Sequence, residues 1–390
     1  MKMAVWLYLF LFVAMFDLHA QYPILTPFAV SLGAAPSFIG LMMGMYSITH
    51  LPGNLIAGFS VDRFGSRIFI VLSLLLAGIV LLIQSRVTDP WQLLVLRSIS
   101  GFVLAFLSPA CMSLLARIGK NHIQQGKLMA GNGLVHTVAS IISPAAGALL
   151  VAKIGFSMSF YLLGWILIAT AICALIFIRD RKDAREPRGS NTPLHTKSVL
   201  PDSALAETRT GPLMWLVFLL PIAISCSQGI LFFELPLKDT SEAGMMHTGI
   251  LFSVVSIGSL FTLSLLFLNR YSPFPRALFG SVMLGLTFFG LAADLPVPIY
   301  VLLLLVGMSK GIIFPAMSSL IIQLSGRTRY GRMFSILSIA FSVGAFLGPM
   351  AAGQLREYVS SYYVAFVVLM FAAAILPFHA FQPKKRSYNY

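Results

Sequence analysis

Four side chains that carry charge stand inside long apolar stretches of this sequence: Asp17, Arg97, Glu234 and Lys310. Placing such a group at the centre of a membrane span costs about 2.5–3.5 kcal/mol on insertion scales, so it marks a path for a proton, an ion or a substrate by default. Two acids and two bases balance, which limits that cost. A carboxylate in an apolar cavity can take up and give back a proton, which makes Asp17 the first candidate for proton coupling and Glu234 the second. Arg97 and Lys310 are candidates to tune the carboxylates or to engage an anionic or zwitterionic part of a substrate. Each has a plainer alternative. Lys310 could form an internal ion pair with Asp17, Glu234 could pair at the outer lip with Lys238 one helical turn on, and Arg97 could reach back to the surface near Trp91. His19, His50, Asn54 and His136 lie in apolar stretches too and can hydrogen-bond a substrate or relay protons, although a lone histidine in a span is more often a bonded packing residue.

The elements that must position these residues are membrane helices. Of the 390 residues 58% are hydrophobic and 10% charged, and the mean hydropathy is +0.87, a composition that cannot cover the surface of a soluble domain. Apolar runs of spanning length fall at Ala4–Val30, Ser37–Val61, Ile68–Ser85, Trp91–Ile118, Gly126–Val151 and Phe156–Ile178. A second group follows at Leu213–Leu237, Gly244–Leu268, Ala277–Ala293, Val297–Leu324, Met333–Leu355 and Tyr358–Phe381. These predict an all-α membrane protein of twelve helices in two bundles of six, over 1–180 and 211–382. A basic linker over 181–210 separates them, and a tail over 383–390 ends the chain. The start of the first run resembles a cleaved signal peptide at Leu18-His19-Ala20, but the run continues apolar beyond Ala20 and has a counterpart in the second half.

Of the 27 Lys and Arg residues, Arg86, Lys153, Lys238 and Arg356 fall in one set of loops and Arg97 and Lys310 within spans, while the rest sit on the opposite side. The positive-inside rule then places both termini in the cytoplasm. It also accounts for the net charge of +14 without a nucleic acid. Cys111, Cys173 and Cys226 lack metal-ligand spacing and fit as small packing residues. The halves repeat one another: Gly126-Lys127 precedes Gly331-Arg332 by 205 residues, Pro144 precedes Pro349 by the same offset, Gly101 precedes Gly307 by 206, and Gly40 precedes Gly249 by 209. Parallel six-helix repeats imply a site between the halves near the midplane.

After the second run comes Gly58-Phe59-Ser60-Val61-Asp62-Arg63-Phe64-Gly65-Ser66-Arg67. This resembles motif A of the major facilitator superfamily, with Ser66 where a basic residue is common. In that family Asp62, Arg63 and Arg67, framed by Gly58 and Gly65, would form a gate against the eleventh helix that holds the cytoplasmic side shut. Arg97 with Gly101 resembles motif B, with Ser100 in the place of the usual glutamine. Pro144 and Gly147 in the fifth run, and Gly344, Gly348 and Pro349 in the eleventh, resemble the small-residue ladder of motif C, which goes with antiporters. The resemblance implies that runs one, four, seven and ten, which carry the four charges one each, line a central cavity. It also implies proton-coupled export of a small amphipathic organic compound by alternating access, as in the twelve-helix drug:proton antiporter branch, with the proton gradient as energy source and no cofactor. The expected partners are a small-molecule substrate and membrane lipid, for a monomer in a bacterial cytoplasmic membrane. The alternatives are proton symport or facilitated uptake of a metabolite or lipid-like molecule and, from another class, a transporter-like receptor or scaffold without turnover. With no P-loop, metal cluster or nucleophile motif, enzymatic chemistry is not expected.

Overall fold

The computed structural model describes residues 2–118, 122–178, 216–324 and 330–375, and these are almost wholly helical. The expected linker (181–210) and tail (383–390) lie outside the described residues, as do the side chains of Gly58 and Asp62.

The first span consists of α1 (Lys2–Ala20) and α2 (Tyr22–Ser31), interrupted at Gln21. Pro23 has no N–H to give the His19 carbonyl, and Pro27 none to give that of Pro23. α3 (Pro36–Phe64) and α4 (Ser66–Gln84) are the second and third spans. The fourth joins α5 (Pro90–Leu104) to α6 (Leu107–Ile118) across a break where Pro109 leaves the Ala105 carbonyl without its helical donor. α7 (His122–Phe177) holds the fifth and sixth spans, because Gly155, at φ 77° and ψ 171°, turns the chain in its middle, a conformation that glycine alone adopts readily. The second half runs α8 (Leu219–Lys238), α9 (Glu242–Ser264), α10 (Pro273–Ala292), α11 (Ile299–Leu324), α12 (Tyr330–Leu355) and α13 (Ser361–Ile375).

Among the described residues nine stretches are long and apolar enough to cross a bilayer, one of them the 47-residue Gly131–Phe177 that Gly155 divides in two. α3 has the length but carries His50, Asn54, Asp62 and Arg63, and α13 contributes 15 described residues. Together these make the twelve spans expected from the sequence. One end of the molecule carries Arg63, Arg67, Arg270 and Arg276 and is called the basic end below; Arg86, Lys153, Lys238 and Arg356 mark the far end.

The bundles meet through two reciprocal helix pairs, α3 with α12 and α7 with α9. The α-carbon of Gly40 sits against the Pro349 carbonyl, and that of Gly249 against the Pro144 carbonyl; a Cβ at either glycine would overlap its neighbour. Gly44 lies against Phe346, and Gly353 against Pro36. These contacts pair the very residues that the internal repeat matches, so the interface has an approximate two-fold. Within the bundles, Gly147 packs on Ala20, and Gly344 and Gly348 pack on the Ile222 and Cys226 carbonyls. Small residues let the backbones touch, and the gain is dispersion rather than hydrophobic burial.

All the glycine contacts and ring stacks that join the bundles among the described residues lie in the far half. Toward the basic end the helices separate, and a cavity of about 320 Å³ opens between Leu51, Asn54 and Leu55 of α3, Pro109 of α6, and Ser335 and Ser338 of α12.

Candidate functional site

In the first bundle the charged residues form a hydrogen-bonded string. Asp17, 3% exposed, accepts a hydrogen bond from Gln21 Nε2 at 2.9 Å. Arg97, 4% exposed, donates from Nη1 to Gln21 Oε1, also at 2.9 Å. The Gln21 amide is suited to this place because it has one donor and one acceptor end, so it satisfies a carboxylate and a guanidinium together. Both bonds are charge-assisted. The Arg97 guanidinium also lies 4.6 Å from the Tyr46 ring centroid, and a desolvated cation over an aromatic face is held by about 2 kcal/mol. Its Nε is buried without a partner, a deficit of about 1–3 kcal/mol. Arg97 therefore does not reach back to the surface at Trp91. Gly101 explains the approach: a Cβ there would run into the Tyr46 carbonyl and Thr49 Oγ1, so glycine lets α5 close on α3.

The polar series continues down α3. The Tyr46 and His50 rings are 5.8 Å apart, and Asn54 Nδ2 donates to His50 Nδ1 at 2.9 Å. Asn54 lines the cavity at the basic end. Polar side chains thus lead from buried Asp17 to that opening.

A second cluster lies between the bundles. His19 and His136 meet edge to face with ring centroids 5.3 Å apart, and His19 donates from Nδ1 to the Met15 carbonyl at 2.7 Å, which leaves Nε2 uncommitted. Lys310, half-buried on α11, lies within electrostatic reach of both imidazoles. It lines a narrow crevice with Leu231, Phe232 and Phe288. Phe232 stacks on Tyr22 at 4.2 Å across the bundle interface, and Tyr22 stands edge-on to His19 at 5.5 Å. The Asp17–Lys310 ion pair is not formed: Asp17 is engaged by Gln21, and among the described residues no carboxylate pairs with Lys310.

Glu234 stands apart from both clusters. At the far lip its Oε1 accepts from Arg356 Nη2 at 3.2 Å, and its Oε2 accepts from Ser361 Oγ at 3.2 Å. The pairing with Lys238 is not the one made, because the turn before α13 brings Arg356 to the carboxylate; Lys238 lies instead over the Tyr362 ring. Nearby, outside the spans, side-chain and backbone hydrogen bonds from Ser241 hold the Asp239 carboxyl below the usual carboxylate range.

Of the motif A residues, Gly65 adopts φ 93° and so needs glycine. Arg67 Nη2 donates to the Leu175 carbonyl at 2.6 Å, capping the end of the sixth span, and Arg63 is exposed beside Phe64. Gln21, Tyr22 and Tyr46 complete the two clusters and are not among the candidates the sequence suggests. Gln21 had one visible signal, a polar residue four positions after Asp17 on the same helix.

The family model described as Major Facilitator Superfamily matches residues 7–293 and 275–389. The chain belongs to the major facilitator superfamily. It is 24% identical to the multidrug resistance protein MdtG of Escherichia coli, over 96% of this chain and 91% of that protein. Its fold is similar to that of the nucleoside transporter NupG, with a TM-score of 0.73 at 17% identity over 96% of this chain and 98% of the other. It is likewise similar to a bacterial homologue of the human lysosomal transporter Spinster in an inward-facing, unoccupied conformation (TM-score 0.72, 15% identity, 96% and 95% covered). The protein is a multi-pass membrane transporter of this superfamily.

Proposed function

We propose that the protein exports a small amphipathic organic compound in exchange for protons, with Asp17 as the coupling carboxylate. The observation that carries this reading is the string Asp17–Gln21–Arg97–Tyr46. It joins the first, fourth and second spans, and the second span packs on α12 across the bundle interface two residues away, at Gly44. When Asp17 is ionised, Gln21 and Arg97 are drawn toward it. When it is protonated, the charge that holds Arg97 through the amide is lost, and Arg97 keeps only the neutral Gln21 carbonyl and the Tyr46 ring. The protonation state is thereby felt at the interface that must open and close.

With the basic end in the cytoplasm, as the charge asymmetry favours, the structure corresponds to the inward-facing state. The far side is sealed by the Gly40–Pro349 and Gly249–Pro144 contacts, and the polar series opens inward past Asn54. In the exchange cycle, Asp17 releases its proton along this route to the cytoplasm and substrate enters. The bundles then rock, an external proton neutralises Asp17, and substrate leaves outward. Glu234, tied to Arg356 and Ser361 within its own bundle, is the weaker coupling candidate. In this reading the protein acts as a monomer. The similarity to MdtG supports export of more than one compound, and Phe232, Tyr22 and the neighbouring Phe252 and Phe288 side chains suit an adaptable apolar binding surface.

The test is purified protein in liposomes under an imposed pH gradient with a small panel of amphipathic compounds. Compound-dependent proton movement opposite to compound flux is the expected result. Parallel movement would make the protein a symporter, and compound flux without protons would leave the charges as ligands or gates.

A further inference from the structure

The chemistry of the central cavity is lopsided. Of the two carboxylates within spans of the described residues that the sequence offers as partners, Asp17 is bound to Gln21 with Arg97 behind it, and Glu234 is bound to Arg356 and Ser361 at the far lip. Lys310 is left with two imidazoles for neighbours and no carboxylate among the described residues. An ammonium so placed in a membrane bundle needs a counter-ion, and none of the described residues supplies one.

We propose that the substrate supplies it: the head of the transported compound is a carboxylate, held against Lys310 of α11 with His19 of α1 and His136 of α7. Three helices from both bundles converge on this point, so a bound anion would bridge the halves. The single ammonium matches a single negative charge, and His136 can donate an N–H to it; His19, whose Nδ1 proton goes to Met15, keeps a lone pair at Nε2 that can accept from the Lys310 ammonium. Beside the ammonium, the crevice of Leu231, Phe232 and Phe288 is apolar and aromatic, and the Phe232–Tyr22 stack closes its side toward His19. The crevice holds only about 10 Å³ in this state, so an apolar body enters it, with its carboxylate at Lys310, only when Phe232 and its neighbours part. The substrate class is thus an amphipathic organic acid rather than an amine. This deepens the transport reading above, on which it rests for the role of the cavity.

The test compares phenylbutyrate, phenylbutyramide and phenylbutylamine, which share a skeleton and differ in the charge of the head. Each is titrated against the full-length protein in lipid nanodiscs, with radiolabelled phenylbutyrate as the displaced probe. The expected result is saturable phenylbutyrate binding with the amide and amine weaker by about tenfold or more, the equivalent of about 1.4 kcal/mol. Lys310→Gln should level the three compounds, and Lys310→Arg should keep the preference, which separates lost charge from lost folding. Equal binding of the three, preference for the amine, a carboxylate preference that survives Lys310→Gln, or no saturable phenylbutyrate binding at millimolar concentration would overturn the assignment. Carboxylate preference without proton counter-flow would support this site while removing the coupling proposed above. Proton counter-flow with an amine-preferring cavity would do the reverse.

Discussion

Gly101 and Gly307 occupy matching places in the two bundles, and each lets its helix close on a neighbour. Four residues before Gly101 stands Arg97; four before Gly307 stands Leu303, fully buried. Lys310, three residues after Gly307, has Leu104 as its counterpart. Glycines and prolines therefore obey the internal repeat while the charges break it. The repeat sets how backbones pack, and a two-fold interface needs the same small residues in both copies. Proton and substrate chemistry has no such need, so one bundle holds a carboxylate and a guanidinium joined through Gln21 and the other an ammonium with no carboxylate among the described residues.

The largest expected effect comes from removing the first bundle's titrating group. Asp17→Asn should lower proton-coupled flux by about a hundredfold or more, the scale of a lost proton-transfer group, and should abolish the acceleration of export that external acidification produces in the unmodified protein. Liposome flux at several external pH values measures both. Arg97→Met should come next. It leaves Gln21 and the Asp17 charge without their cation, and breaking a buried pair costs about 3–5 kcal/mol, visible as a lower melting temperature in detergent. Arg97→Lys, which keeps the charge but not the planar fork, should recover part of it.

The symmetric part of the comparison can be broken too. Gly40→Val and Gly249→Val each push a side chain into a proline-bearing helix turn of the other bundle, an overpacking worth about 1–3 kcal/mol. Both should widen the far side to a similar degree, read as longer distances between spin labels at Ser37 and Gln354. Widening by one variant alone would show that the two contacts are not equivalent. The smallest effect belongs to Glu234→Gln. Its pair with Arg356, which is 29% exposed, is expected to contribute no more than about 1 kcal/mol, so proton exchange should persist with a slight loss of thermal stability.

Much of this architecture was legible in the sequence, because bilayer thickness forces long apolar runs and the repeat leaves glycines and prolines at constant offsets. The positive φ of Gly65 and the close approach at Gly101 follow from the absence of a Cβ, which motif spacing exposes directly. The partners of the charges were not legible. Arg97 reaches Gln21 across 76 positions, and the turn that carries Arg356 to Glu234 is a tertiary event that helical periodicity does not encode. The sequence already allows Glu234 a place at the outer lip, but only the fold gives it Arg356 and Ser361 as partners and sets Asp17 in a polar string with Gln21 and Arg97.

That difference between the two carboxylates can be tested directly. Compound-dependent proton exchange would be measured in liposomes for Asp17→Asn and Glu234→Gln side by side, under one pH gradient and with matched protein density. Exchange is expected to vanish in the first and persist in the second. Exchange that survives Asp17→Asn with its proton dependence intact, or that is lost in Glu234→Gln alone, would contradict the coupling role of Asp17.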